Sequence, residues 1–365
     1  MIKRLGVLTG GGDCPGLNAV LRGVVKTAIM KYGCDVIGFR DSYKGMVLNN
    51  TVKLSTDDVS GIIDKGGTIL GTSNRHNPFK FLDKAEGYSK EEDLSDVAIK
   101  NVKSHGIDCM IMIGGDGTLT SARDFARKGL PVIGIPKTID NDLCATDITF
   151  GFMTAVTTAT DAVDKLHTTA EAHQRVMILE VMGRNAGWIA IKAGIAGGAD
   201  IILIPEIPYD IKLVAQKIIE RRKQGKLYSI VVVSEGAKPI GGDVVINKIV
   251  EDSPDPIKLG GIGNKVADDI DELTGVETRV TVLGHLQRGG TPIPYDRILS
   301  TRYGVEAVEM FNRKEFGKMV SLKGDTITSV SLEKAVEKIK TVDPKGELVR
   351  IAKSVGVGFG DKKVC

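Results

Sequence analysis

Cys109-Met110-Ile111-Met112-Ile113-Gly114-Gly115-Asp116-Gly117-Thr118 is the stretch on which the fold turns. Its apolar run has no polar alternation and reads as a strand buried on both faces. Glycines follow at once, and a helical period then runs through about Arg127. A buried strand, a glycine turn and a helix in succession are half of a parallel strand–helix–strand unit. Glycines at such a junction let backbone N–H groups approach a phosphate, and the helix N-terminus adds a positive field. Asp116 among them is suited to holding Mg²⁺ against a phosphate. The plainer alternative is an aspartate that caps the helix.

The same pattern repeats along the chain. Leu5–Thr9 reads as a strand, followed by Gly10-Gly11-Gly12-Asp13. Leu17, Val20, Leu21, Val24, Val25 and Ala28 then mark one face of a helix. Further strands are expected at Val36–Phe39, Val132–Ile135, Val176–Val181, Ile201–Ile204, Ile230–Val233 and Val280–Leu283. Helices at Asn185–Gly194, Ile211–Lys223 and Tyr303–Asn312 separate some of these. The expected class is α/β: two Rossmann-like domains with mainly parallel sheets covered by helices. Ligands in such folds sit beyond the carboxyl ends of the strands, where this chain places its Gly, Asp, Arg and His residues. Neither glycine loop has the G-x-x-x-x-G-K-[ST] pattern, which disfavours a P-loop nucleoside triphosphatase. Lys80–Asp96 reads as a polar surface excursion, and Ser354–Cys365 as a loosely held tail.

Composition narrows the class. At 365 residues the chain should hold about two domains. With 42% hydrophobic and 26% charged residues it is an ordinary globular sequence, too apolar for disorder. The net charge of +3 comes without a basic stripe, so nucleic acid is not an expected partner. An odd count of five cysteines without C-x-x-C argues against a disulfide scaffold or zinc ribbon and points to reduced thiols in the cytoplasm. The N-terminus has no signal-peptide pattern, and no apolar run is long enough for a membrane span.

Two further clusters carry chemistry. Pro136-Lys137-Thr138-Ile139-Asp140-Asn141-Asp142 puts two carboxylates two residues apart at a strand end. One can serve as a general base while the other orients a metal or water, although an ordinary Asp/Asn turn would look the same. The second half supplies His173-Gln174-Arg175, Met182-Gly183-Arg184, Glu277-Thr278-Arg279 and Gly284-His285-Leu286-Gln287-Arg288. Arginine suits bidentate phosphate recognition, so Arg175, Arg279, His285 and Arg288 are candidates for a cationic pocket. Each taken alone is an unremarkable surface or structural residue.

With these motifs together, the chain resembles the phosphofructokinase family in its bacterial-type form, from Leu5 to about Asn312. The resemblance implies Mg²⁺-dependent transfer of a phosphoryl group to the 1-hydroxyl of fructose 6-phosphate. It implies Asp140 as the base, with Thr138 beside it, Asp116 as the metal-binding aspartate and Asp142 in support. Gly11, Gly115, Gly117 and Thr118 would line the donor site, where Arg75 meets the transferring phosphoryl and Arg184 shares its charge. Met182, Gly183 and Glu235 resemble contacts to the sugar, and His285 and Arg288 its 6-phosphate site. Arg175 and Arg279 match arginines that the family supplies from a neighbouring subunit, which implies a homotetramer or homodimer. Arg22, Lys26 and Lys65 resemble an effector site in which His167 and Asp200 replace an arginine and a glutamate.

The donor is read from two positions that disagree. Gly117 leaves room for a nucleotide and is ATP-type, whereas Lys137 is pyrophosphate-type. Steric room outweighs a flexible added charge, so ATP is expected and pyrophosphate is the alternative. An NAD or lipid kinase sharing the Gly-Gly-Asp-Gly loop leaves Met182–Arg184 and His285–Arg288 unexplained. A nucleotide-sensing protein without catalysis has no need of Asp140. Residues 1–151 with about 287–337 should form the donor domain. Residues 152–286 with a C-terminal helix at about 338–356 should form the sugar-phosphate domain, and 357–365 the loose tail.

Overall fold

The computed structural model describes residues 3–249 and 257–361. Two sheets organise it. The larger has seven strands in the order Thr326–Ser331, Lys318–Lys323, Val132–Pro136, Cys109–Gly114, Arg4–Thr9, Asp35–Phe39 and Thr51–Leu54. Its five central strands run parallel, and the two edge strands are antiparallel. The smaller sheet is wholly parallel, in the order Thr278–Val282, Val176–Val181, Ser229–Ser234 and Ile201–Leu203. Helices must cover both faces of such strands, and Met110 to Ile113 accordingly have no exposed surface.

The strand expected at Val280–Leu283 begins earlier, at Thr278, and ends at Val282. The helix expected from Tyr303 begins at Pro294, a residue suited to the first helical turn. Its Asp296 is buried and reaches across to another helix start. The carboxylate accepts the Thr154 N–H at 2.7 Å and the Thr154 hydroxyl at 2.6 Å. That second helix, Phe152–His173, is the longest in the fold. Several of its threonines bond carbonyls one turn back, satisfying hydroxyls that would otherwise compete with the helix.

The excursion at Lys80–Asp96 contains a small hairpin, Phe81–Asp83 with Tyr88–Glu92. The expected C-terminal helix is shorter than anticipated, Glu347–Ser354. The tail is not loose where it is described. Phe359 is fully buried, Gly358 pairs with Ile201 at the edge of the small sheet, and Gly360 accepts the Asp210 N–H at 2.7 Å. An aromatic side chain and an unpaired strand edge account for this docking; Cys365 lies outside the described residues. Cys14, Cys34, Cys109 and Cys144 are free thiols. No helix among the described residues is long and apolar enough to cross a membrane.

Candidate active site

The carboxyl ends of both sheets open onto one cleft. Thr9, Gly114 and Pro136 end strands of the large sheet, and the two glycine loops and the acidic turn follow directly. Val181, Ser234 and Val282 end strands of the small sheet, and Met182, Glu235 and the His285–Arg288 segment follow those. The cleft has two compartments. One, of about 870 Å³, is bordered by Gly11, Gly12 and Asp140 on one side and by Met182, Arg184 and Glu235 on the other. Arg75, His285 and Arg288 complete it. The second, of about 470 Å³, is floored by Gly115, Asp116, Gly117 and Thr118, with Lys137 and Thr138 beside them. Asp140, Arg288 and the Gly11-Gly12 pair border both compartments.

Close approach explains one glycine here, and open space surrounds another. A Cβ on Gly12 would lie 2.5 Å from a guanidinium nitrogen of Arg288, which also donates to the Asp13 carbonyl at 3.2 Å. The first glycine loop and the small-sheet arginine therefore meet only because no side chain intervenes. At Gly117 a Cβ would meet nothing within 4 Å, so the helix start there faces open space. The Tyr43 hydroxyl, buried behind it, donates to the Thr118 carbonyl at 2.7 Å and fixes that first turn.

Electrostatics single out Asp140. Burial, and then the neighbouring Asp142 carboxylate, push its pKa up to about 7. Its Oδ1 has no hydrogen-bond partner, while its N–H donates to the Thr138 hydroxyl at 3.1 Å. An unpartnered carboxyl titrating near neutrality at a cleft wall can accept a proton from a bound hydroxyl. Asp116 is also raised, by burial and by Asp142. Glu235 is raised by burial, against the pull of Arg288 and Arg184. Asn141, between the two aspartates, takes a left-handed φ of 51°. Its side-chain oxygen accepts the Thr149 N–H at 3.1 Å and the Lys340 ammonium at 3.0 Å, which hold the turn.

Lys137 differs from expectation. It is not a flexible charge: only 3% of it is exposed, and its ammonium donates to the Gly12 carbonyl, tying the acidic turn to the first glycine loop. Burial pulls its pKa down.

Four of the candidates lie off the cleft wall. Asp142 sits behind it, and its carbonyl accepts the Lys340 N–H at 2.7 Å. Gly183 shapes the turn after Val181, with φ at 133° and the Ser234 hydroxyl donating to its carbonyl at 2.5 Å. Arg175 and Arg279 sit at the opposite, amino-terminal ends of their strands, where both bind Glu277, Arg175 at 2.6 Å. Asp200 pairs with Arg221 at 2.7 Å, and His167 bonds the Gly197 carbonyl at 2.7 Å. Sequence reasoning missed Ser73, Asn74 and Asn247 on the large compartment and Tyr43 and Asn77 on the small one. Ser73, Asn74 and Asn77 belong to the polar run Thr72–Asn77; Asn247 and Tyr43 carry no comparable signal.

The phosphofructokinase family model matches residues 4–311. The chain belongs to the phosphofructokinase family. Among curated relatives, it is 59% identical over 362 residues to an ATP-dependent 6-phosphofructokinase 2 of Clostridium perfringens, covering 99% of each chain. It is also 48% identical to a pyrophosphate–fructose 6-phosphate 1-phosphotransferase of Streptomyces coelicolor, covering 98% of this chain and all of that one. Among solved structures, phosphofructokinase from Saccharomyces cerevisiae superposes with a TM-score of 0.77 at 32% identity over 92% of this chain. This chain spans less than half, 45%, of the yeast chain. Both donor types thus occur among full-length relatives of this phosphofructokinase.

Proposed function

We propose that this chain is an ATP-dependent 6-phosphofructokinase. It transfers the terminal phosphoryl group of ATP to the 1-hydroxyl of fructose 6-phosphate, giving fructose 1,6-bisphosphate and ADP. The observation that carries the reading is Asp140: a half-buried carboxyl raised to about 7, its Oδ1 without a hydrogen-bond partner, on the wall shared by both compartments.

The sugar phosphate takes the larger compartment. His285 and Arg288 hold its 6-phosphate, while Met182, Glu235 and Gly183's turn orient the ring. The nucleotide's phosphates lie over Gly11 and the Gly115–Thr118 helix start, where backbone N–H groups and the helix field favour anions. Asp140 takes the proton of the 1-hydroxyl as that oxygen attacks, with Thr138 fixing the turn. Arg75 and Arg184 face the charge that spreads over the transferring group, so the reaction is driven by positioning and electrostatics.

Asp116 suits a Mg²⁺ ion, with Asp142 behind it. Burial first, and then the Asp142 charge, raise Asp116, and a cation would offset both. The described residues offer no cluster of three acidic, His or Cys ligands, which fits an ion held largely by substrate phosphates. When bound, the ion would draw charge from the phosphates.

Arg175 and Arg279 are read as completing a neighbouring subunit's sugar site in a cytoplasmic homotetramer or homodimer. Arg279 lies on an edge strand of the small sheet with 54% of its side chain accessible, which supports a contact there.

Pyrophosphate is the second reading, favoured by the Lys137 ammonium and by the Streptomyces coelicolor relative. The open space at Gly117 favours ATP. A coupled assay for fructose 1,6-bisphosphate, with ATP or pyrophosphate in parallel, separates them. Turnover with ATP alone is expected; turnover with pyrophosphate alone overturns the donor assignment. Replacing Lys137 by Gly then reports what the lysine adds.

A further inference from the structure

The polar run Thr72–Asn77 has a second tier of contacts that the reaction does not by itself require. Its first part is sewn to the glycine loop: the Thr72 hydroxyl donates to the Gly11 carbonyl at 2.7 Å, and the Gly11 N–H donates to the Ser73 carbonyl at 3.0 Å. The chain then turns over exposed Asn74 and Arg75. Within this turn the Arg75 N–H donates to the Ser73 hydroxyl oxygen at 3.2 Å. That hydroxyl also meets His76 Nδ1 at 2.7 Å. His76 Nε2 meets Asp83 Oδ2 at 3.0 Å, and the Lys44 ammonium lies 2.9 Å from the same oxygen. Beneath the imidazole lies fully buried Phe81, with ring centroids 5.4 Å apart.

Each group in this chain has one direction open to it. Asp83, held ionised by the Lys44 ammonium, can only accept. His76 Nε2 therefore carries the proton, which leaves Nδ1 with a lone pair. The Ser73 O–H donates to that lone pair, and the Ser73 oxygen is then oriented to accept the Arg75 N–H. Burial favours the neutral imidazole that this arrangement needs.

We infer that Ser73, His76 and Asp83 form a positioning relay, anchored on the hairpin of residues 81–92, that presets the Arg75 loop over the cleft. The inference rests on the reading of Arg75 as a clamp on the transferring phosphoryl. Ser73 borders both compartments and His76 the smaller one, and through them the relay removes the ordering cost of an exposed loop before substrate arrives. The Lys80–Asp96 excursion thereby gains a role at the active site.

The test uses His76→Ala, His76→Asn, Ser73→Ala and the Ser73→Ala/His76→Ala double variant. Loss of a preset geometry should lower kcat by about 10- to 100-fold, with the fructose 6-phosphate KM little changed. Asn puts a carbonyl oxygen where Nδ1 was, so His76→Asn should recover part of kcat. The double variant should be no worse than the weaker single one, because both cut one chain of contacts. Limited trypsin digestion gives a readout independent of turnover: cleavage after Arg75 should be faster in His76→Ala than in the parent and slower again in His76→Asn. Wild-type kcat in His76→Ala, additive losses in the double variant, or an unchanged cleavage rate would each overturn the relay. An inactive parent protein would instead overturn the reading of the reaction, while the cleavage comparison would still judge the relay.

Discussion

Replacing Asp140 by Asn should make the protein inactive and more stable at once. The folded protein lifts this carboxyl from an ordinary 3.8 to about 7, so it binds a proton more tightly than the unfolded chain does. Stability is therefore greatest below the unfolded value and is lost as pH rises from about 4 through about 7. A shift of that size, at about 1.4 kcal/mol per pKa unit, sets a ceiling of roughly 4 kcal/mol. Asp140 borders an open cleft, and solvent reaching it lowers the expected gain from Asn to about 1–3 kcal/mol. Turnover should fall by at least about 10²–10⁴-fold, the usual worth of a positioned proton acceptor. Thermal unfolding at fixed protein concentration, run at pH 4 and at pH 8, reads the first effect, and the coupled assay reads the second. The midpoint gain should be clear at pH 8 and much smaller at pH 4, where the folded state holds the proton and the unfolded chain is close to its own midpoint. In the parent enzyme, kcat/KM should drop as pH falls below about 7. A gain of equal size at both pH values would mean that Asp140 is not held above its ordinary range. Retained turnover would mean that another group takes the proton.

Three other outcomes are expected. Arg288→Ala removes a charged donor from the junction of both compartments, and a charged hydrogen bond is worth about 1.5–3 kcal/mol; the fructose 6-phosphate KM should therefore rise about 10- to 100-fold, measured by initial rates. Gly117→Asp meets no steric obstacle in the protein but puts a carboxylate in the donor compartment. Its kcat/KM for ATP should fall by at least about tenfold, while the unfolding midpoint stays put. Phe359→Ala empties a fully buried site at the tail and should cost about 3 kcal/mol, read by denaturant titration; a negligible change would mean the tail is loosely held after all.

Much of the active site was legible because its parts are local. A buried strand, a glycine turn and a helix start lie within ten residues at Cys109–Thr118, and their order alone puts backbone N–H groups at the carboxyl edge of a sheet. The strands Lys318–Lys323 and Thr326–Ser331 and the long Phe152–His173 helix were harder to read. The first has a short apolar stretch broken by Ser321 between lysines, the second is a mostly polar strand at the sheet edge, and the helix carries threonines that weaken a helical signal until their hydroxyls bond the preceding turn. The tail misled for a related reason: its glycines and lysines suggested mobility, and one phenylalanine with a free strand edge outweighs them.

The sequence by itself determined which chemical groups the cleft can hold: two glycine loops, an acidic turn, and arginines after the strands of the second half. Only the tertiary structure decided where each group sits and what surrounds it. Asp140 and Asp142 are the same residue two positions apart, yet one borders both compartments and the other lies behind the wall. Lys137 looked like a mobile charge, and it is buried with its ammonium on a carbonyl 125 residues earlier in the chain. A side chain's protonation and reach depend on the solvent excluded around it and on neighbours brought from distant segments, and neither is written in local spacing.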